Sequence, residues 1–178
     1  MTQPTDQQRW EGLLRGQVMS ATTNKFSVIL RMLDQKAQVM ILLNSFIIPV
    51  CLRSLENGKF QEAAILSVIT SALSIWAAII CIYPKRKYRK RGDRELNLLH
   101  FNDIGHMDKQ EYIDQILPKF NDTSKLAELV IQDLYDTSRY SIVPKFLWLK
   151  ISYALFGLGN LFAIVFVLAE ILNIKLLP

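Results

Sequence analysis

Residues 63–94 read AAILSVITSALSIWAAIICIY followed by PKRKYRKRGDR, and this stretch decides the fold. Between Glu62 and Lys85 lie 22 residues, 63 to 84, without a charge. At about 1.5 Å rise per residue, a helix of that length crosses a hydrocarbon core of roughly 30 Å. A helix of a water-soluble core would break the run with polar residues at helical spacing. The stretch is therefore expected to span a membrane. Lys85, Arg86, Lys87, Arg89, Lys90, Arg91 and Arg94 crowd against its C-terminal end. Positive charge beside a span stays on the cytoplasmic side, so this helix is expected to run from outside to inside.

Upstream, two further features organise the chain. Phe26, Ile29, Leu30, Leu33, Ala37, Met40 and Ile41 recur at spacings of three and four, with Arg31, Asp34, Gln35 and Lys36 opposite. This is an amphipathic helix, with Asn24 as its expected cap and Ser20–Thr23 as an expected interruption before it. After Lys36 the polar face vanishes. The run from Ala37 to Leu52 is short for a span, and the amphipathic helix is expected to continue straight into it. The alternative, a re-entrant or surface segment, would put Arg9, Arg15, Lys25, Arg31 and Lys36 outside, against the charge rule. Asn57-Gly58 is a turn dipeptide, in a connection with few basic residues.

Downstream of the basic cluster comes a soluble portion. Asp108 with Glu111 reads as a helix start. Tyr112, Ile113, Ile116, Leu117 and Phe120 form the expected buried face, and Pro118 the expected end. Asn121-Asp122-Thr123 starts another helix, lined by Leu126, Leu129, Val130 and Leu134. Pro144 marks an expected kink. From Ile151 to Ala169 the chain is again uncharged. The predicted organisation is 1–36 as an N-terminal cytosolic helical segment, 37–54 as a transmembrane helix and 63–83 as a second. Residues 84–146 are a basic linker with cytosolic helices, and 147–170 a third span. The fold class expected is an all-α integral membrane protein, with three transmembrane helices and a small helical cytosolic part.

Composition narrows the function. Half the residues are hydrophobic (51%), yet the net charge is +5. Because the basic excess sits in one cluster beside a span, it reads as a topology anchor and lipid-headgroup contact, not as a site for a nucleic acid polymer. Cys51 and Cys81 fall toward opposite ends of adjacent spans, so no disulfide is expected. The N-terminus lacks an apolar signal region, which leaves insertion to the first span. No phosphate loop, nucleophile elbow or paired histidines at metal spacing occurs. No catalytic residue, metal ligand or cofactor is therefore predicted.

Polar residues inside spans are costly in hydrocarbon and so carry information. Asn44 and Asn160 lie mid-span, and Ser67, Ser71 and Ser74 share one helical face with Ala64 and Ala78. Gly159 and Ala163 form a small-xxx-small pair. Two readings stand: close helix packing with hydrogen bonds across helices, or a hydrated path in an oligomer. Three helices are too thin to enclose a pore alone, so a pore needs several copies. Near the membrane surface, Asp34, Lys36, Asn97, Asn102, Asp103 and Lys145 form either a solvated face or a site for a small anionic ligand.

Three segments taken together resemble a known family. They are Asp34-Gln-Lys36-Ala37 leading into the helix with Asn44, Asn97-Leu-Leu-His-Phe101-Asn-Asp103-Ile104 followed by a helix with Tyr112, and Ile131-Gln-Asp133-Leu134 continuing to Lys145 and a final span. In that order, with a basic linker after the first, they resemble the transmembrane effectors of bacterial Pycsar anti-phage systems. His100, Asn102 and Pro144 depart from the family pattern. The resemblance implies an inner-membrane, multi-pass protein with a cytoplasmic N-terminus. It implies that cyclic CMP or cyclic UMP, made by a partner cyclase on infection, triggers membrane impairment and abortive infection. Membrane lipids and further copies of the chain are the other expected partners. A constitutive scaffold or small transporter subunit that docks a cytosolic protein is the alternative from a different class.

Overall fold

The computed structural model describes residues 6–58, 60–83 and 97–172, with the side chains of 6–9, 101 and 102 left undescribed. The basic cluster at 85–94 and the side chain of Asn102 lie outside the described residues. Among the described residues six α-helices follow in order: α1 (Asp6–Glu56), α2 (Gln61–Ile82), α3 (Phe101–Ile104), α4 (Lys109–Phe120), α5 (Thr123–Thr137) and α6 (Val143–Ile171). A π-helical turn, Ser138–Ile142, joins α5 to α6. No strand occurs among the described residues. Among the described residues, three helical segments are long and apolar enough to cross a membrane, so the chain is an all-α membrane protein.

The chain divides into two units. One comprises Met1–Leu30 with Arg86–Ile142, and the other Arg31–Lys85 with Val143–Pro178. The helix α1 therefore contributes to both.

In the second unit, α2 packs along α6. Its inward stripe is small: Ala63, Ala64, Ser67, Ser71, Ser74, Ala77, Ala78 and Cys81 are all buried. Its large residues, Ile65, Ile69, Leu73 and Trp76, point out. Lipid tails are as apolar as leucine, so large side chains gain nothing by turning inward, and small ones let backbones approach. Gly159 of α6 completes the seam. A Cβ built on it would fall inside the side chain of Thr70. From α1 the inward residues are Leu33, Ala37, Met40 and Asn44, at spacings of four and three. Between α1 and α2 the chain turns at Gly58, whose φ of 69° suits glycine. Phe60 also adopts a left-handed φ of 54° as the residue before α2. The two cysteines are free.

In the first unit, α4 and α5 start at carboxylate caps. Asp108 accepts from the Gln110 amide at 2.9 Å. Asp122 accepts from the Ser124 amide at 3.0 Å and from the Ser124 hydroxyl at 2.8 Å. These bonds satisfy amides that have no partner within the helix. Of the expected buried faces, Leu129 is buried, while Leu117 and Phe120 are exposed.

Three local expectations give way. The helix is not interrupted at Ser20–Thr23, nor does it start at Asn24. Thr22 and Thr23 donate their hydroxyls to the carbonyls of Val18 and Met19 one turn back, at 2.8 and 3.0 Å. Bonded in this way, hydroxyl residues ride within a helix without ending it. Pro118 does not end α4, which runs two residues further to Phe120. Pro144 does not break the chain's helical path, which runs on from α5 through the π-turn into α6, where a local change of pitch accommodates the missing N–H. The irregularity falls upstream, in the π-turn at Ser138–Ile142.

Candidate functional site

Two constellations of polar side chains carry the chemistry, one in each unit. In the second unit, Asn44 is fully buried, at 0% exposure. Its amide donates to the Met40 carbonyl at 2.7 Å and to Ser74 Oγ at 3.1 Å. Ser74 in turn donates to the Ser152 carbonyl, and Ser152 Oγ donates to the Ser74 carbonyl, both at 2.9 Å. Three helices are thereby tied by side chains that have no water to turn to. Asn44 Oδ1 and Ser71 Oγ are buried with no hydrogen-bond partner among the described residues. Ser67 and Asn160 are placed differently. They line an otherwise mostly apolar groove of about 340 Å³, together with Ile47, Ala163 and Val167. The Asn160 amide donates to the Phe156 carbonyl of its own helix at 2.7 Å.

Toward the N-terminal end of α6, Lys145 Nζ bonds the carboxylate of Asp34 on α1. The lysine side chain is 9% exposed and the aspartate 34%, so the cation is the more desolvated partner. Cys81 Sγ donates to the Lys145 carbonyl at 3.2 Å. Lys36, by contrast, is exposed on α1.

In the first unit, Asn97 is buried and fully engaged. Its amide donates to Asp133 Oδ1 at 3.0 Å and to Asp136 Oδ2 at 3.3 Å. Its carbonyl oxygen accepts from the Leu99 amide at 3.0 Å, and its own backbone N–H donates to Asp103 Oδ2 at 3.2 Å. One asparagine thus fixes three carboxylates and the turn before α3. Beside it opens a cleft of about 310 Å³. Thr23, Phe26, Ser27 and Leu30 of α1 form one wall, and Leu99, His100, Asp133, Leu134, Thr137 and Ser141 the rest. The volume lies at the lower end of the range for small-molecule sites.

Four of the residues singled out in the sequence therefore form two pairs. Asp34 and Lys145 meet in the second unit, and Asn97 and Asp103 meet in the first. Asp133, Asp136 and Ser152 were not singled out as site residues. Asp133 and Asp136 share one face of α5 by their spacing of three, which is a legible signal. Their partner Asn97 lies 36 residues upstream of Asp133, and no local pattern announces it.

A three-span all-α protein with a helical unit that holds a small, largely apolar cleft defines a class, membrane proteins with a ligand-sized pocket. The family itself follows from a match to the family model PycTM, described as the Pycsar effector protein domain, over residues 18–171. The chain belongs to that family, the transmembrane effectors of Pycsar anti-phage defence. No curated protein and no solved structure matches it.

Proposed function

We propose that this effector senses a cyclic pyrimidine mononucleotide, cyclic CMP or cyclic UMP, and responds by impairing the bacterial inner membrane, so that the infected cell stops before phage matures. The observation that carries the reading is the cleft of about 310 Å³ in the first unit of a chain whose family is an anti-phage effector family. A non-enzymatic response by differential binding suffices. Ligand that prefers one arrangement of the cleft's helices shifts the population toward it. The helix α1 lends residues to the cleft wall and, further along, to the buried seam. In this reading Asn97 and Asp103 position the cleft wall. The Asp34–Lys145 pair holds α1 to α6 in the resting state. The N-terminus is cytoplasmic, where the nucleotide is made, and several copies cooperate in the lesion.

The test is membrane potential in bacteria expressing the protein, read with a voltage-sensitive dye while a co-expressed cyclase raises either nucleotide. Depolarisation with an active cyclase and none with an inactive one is the expected result. A constitutive scaffold is the second reading, favoured by the exposed Leu117, Phe120, Ile131 and Tyr135 of α4 and α5. No depolarisation with either nucleotide, at verified membrane expression, would put that reading in front.

A further inference from the structure

The walls of the first-unit cleft differ in what they can offer a ligand. On the α1 wall, Thr23 donates to the Met19 carbonyl at 3.0 Å and Ser27 to the Thr23 carbonyl at 3.2 Å. Each hydroxyl has one proton, so both are left as acceptors. On the α5 wall, Asp133 is a carboxylate with one oxygen bound by the Asn97 amide. Phe26, Leu30, Leu99 and Leu134 supply apolar surface between them. Among the described residues no lysine or arginine lines the cleft. The hydroxyls of Thr137 and Ser141 and the imidazole of His100 complete the lining, but the Asp133 carboxylate repels a phosphate by charge. A flat apolar ring carrying an exocyclic donor fits instead.

Resting on the cyclic-nucleotide reading, we infer that this cleft takes the base and leaves the cyclic phosphate at its mouth, and that Asp133 selects cyclic CMP over cyclic UMP. The two bases differ at position 4. Cytosine presents an amine there, a donor that a carboxylate accepts, whereas uracil presents a carbonyl oxygen as thymine does. Asp133 facing that oxygen would set two acceptors against each other with no proton between them. Hydrogen bonds to a charged group are the stronger kind, and a mispaired acceptor costs more than a missing contact. Asn97 is then a positioning residue, because its amide fixes which way the Asp133 carboxylate faces.

The experiment is calorimetric titration of the detergent-solubilised full chain with cyclic CMP, cyclic UMP and cyclic CMP dimethylated at the exocyclic amine. The wild type is expected to bind cyclic CMP at least about tenfold tighter than either of the other two. In Asp133→Asn the Asn97 amide keeps an acceptor, and the new amide can serve either base. The preference should therefore fall toward one while helicity by circular dichroism is unchanged. The dimethylated ligand tests the same contact without altering the protein. Equal or tighter binding of cyclic UMP to the wild type overturns the inference. So does an unchanged preference in Asp133→Asn, or an equal loss for both nucleotides, which would place Asp133 on the ribose. Failure of both nucleotides to bind the wild type removes the cyclic-nucleotide reading and this inference with it, whereas binding with the wrong preference removes the inference alone.

Discussion

Asn44 and Asn97 are both buried asparagines, and their surroundings differ in kind. Asn44 bonds two groups and leaves Oδ1 without a partner, among small residues of a seam between spans. Asn97 uses its carbonyl oxygen and its amide on neighbours, beside a cleft. The first asparagine ties helices together where the alternative partner is hydrocarbon. The second organises charged groups at the edge of a space large enough for a ligand. A buried amide is thus not itself a mark of function. What its partners face decides.

Gly159 carries the largest expected effect. If the second unit is held by close backbone approach, Gly159→Leu should prevent α2 from seating on α6, and Gly159→Ala should lower stability by about 1–3 kcal/mol through overpacking. Thermal unfolding of the detergent-solubilised protein, followed by circular dichroism, measures both. An alanine variant as stable as the wild type would mean that the contact with Thr70 relaxes freely.

A smaller effect is expected at the ion pair, and it should be asymmetric. Asp34→Ala leaves the nearly buried Lys145 cation unpaired, a loss of about 2 kcal/mol once partial exposure of the pair is allowed for. Lys145→Met leaves Asp34, which retains a third of its exposure and can hydrate, so its cost should be lower. The double variant should recover part of the Asp34→Ala loss. Equal single-variant costs would show that the lysine is not the more desolvated partner.

The smallest effect belongs to the first unit. The Ser124 hydroxyl bond, followed by the Lys125 and Ser124 amides, holds the Asp122 carboxyl below its ordinary value of 3.8. A carboxyl lowered on folding adds stability that is fully present above the unfolded pKa and is lost as pH falls through the folded one. Helicity should therefore show a shallow acid-dependent loss below pH about 4 that Asp122→Asn reduces. An unchanged acid profile in that variant would assign the loss to other carboxylates.

Several features could be read directly from residues. The uncharged run at 63–84, the small stripe at Ser67, Ser71 and Ser74, and the caps at Asp108 and Asp122 are local patterns, and local physics suffices for them. The interruption expected at Ser20–Thr23 did not form, because those hydroxyls bond back along the helix, an option that composition does not reveal. Of the candidate site, Asn97, Asp103, Asp34 and Lys145 were legible as polar groups near apolar runs. Their partners were not. The Asp34–Lys145 pair joins residues 111 apart, and the Ser74–Ser152 clasp joins residues 78 apart.

By itself, then, the sequence determined the helical class, the three apolar segments, the helix caps and the inward face of α2, because each depends on periodicity and charge within a few turns. Only the tertiary structure decided that Asn44 serves a packed seam, that Asn97 orders three carboxylates, and that Asp133 lines a cleft between α1 and α5. Those outcomes depend on which distant side chain fills the remaining valence of a buried polar group, and chain closure over tens of residues leaves no local trace of that choice.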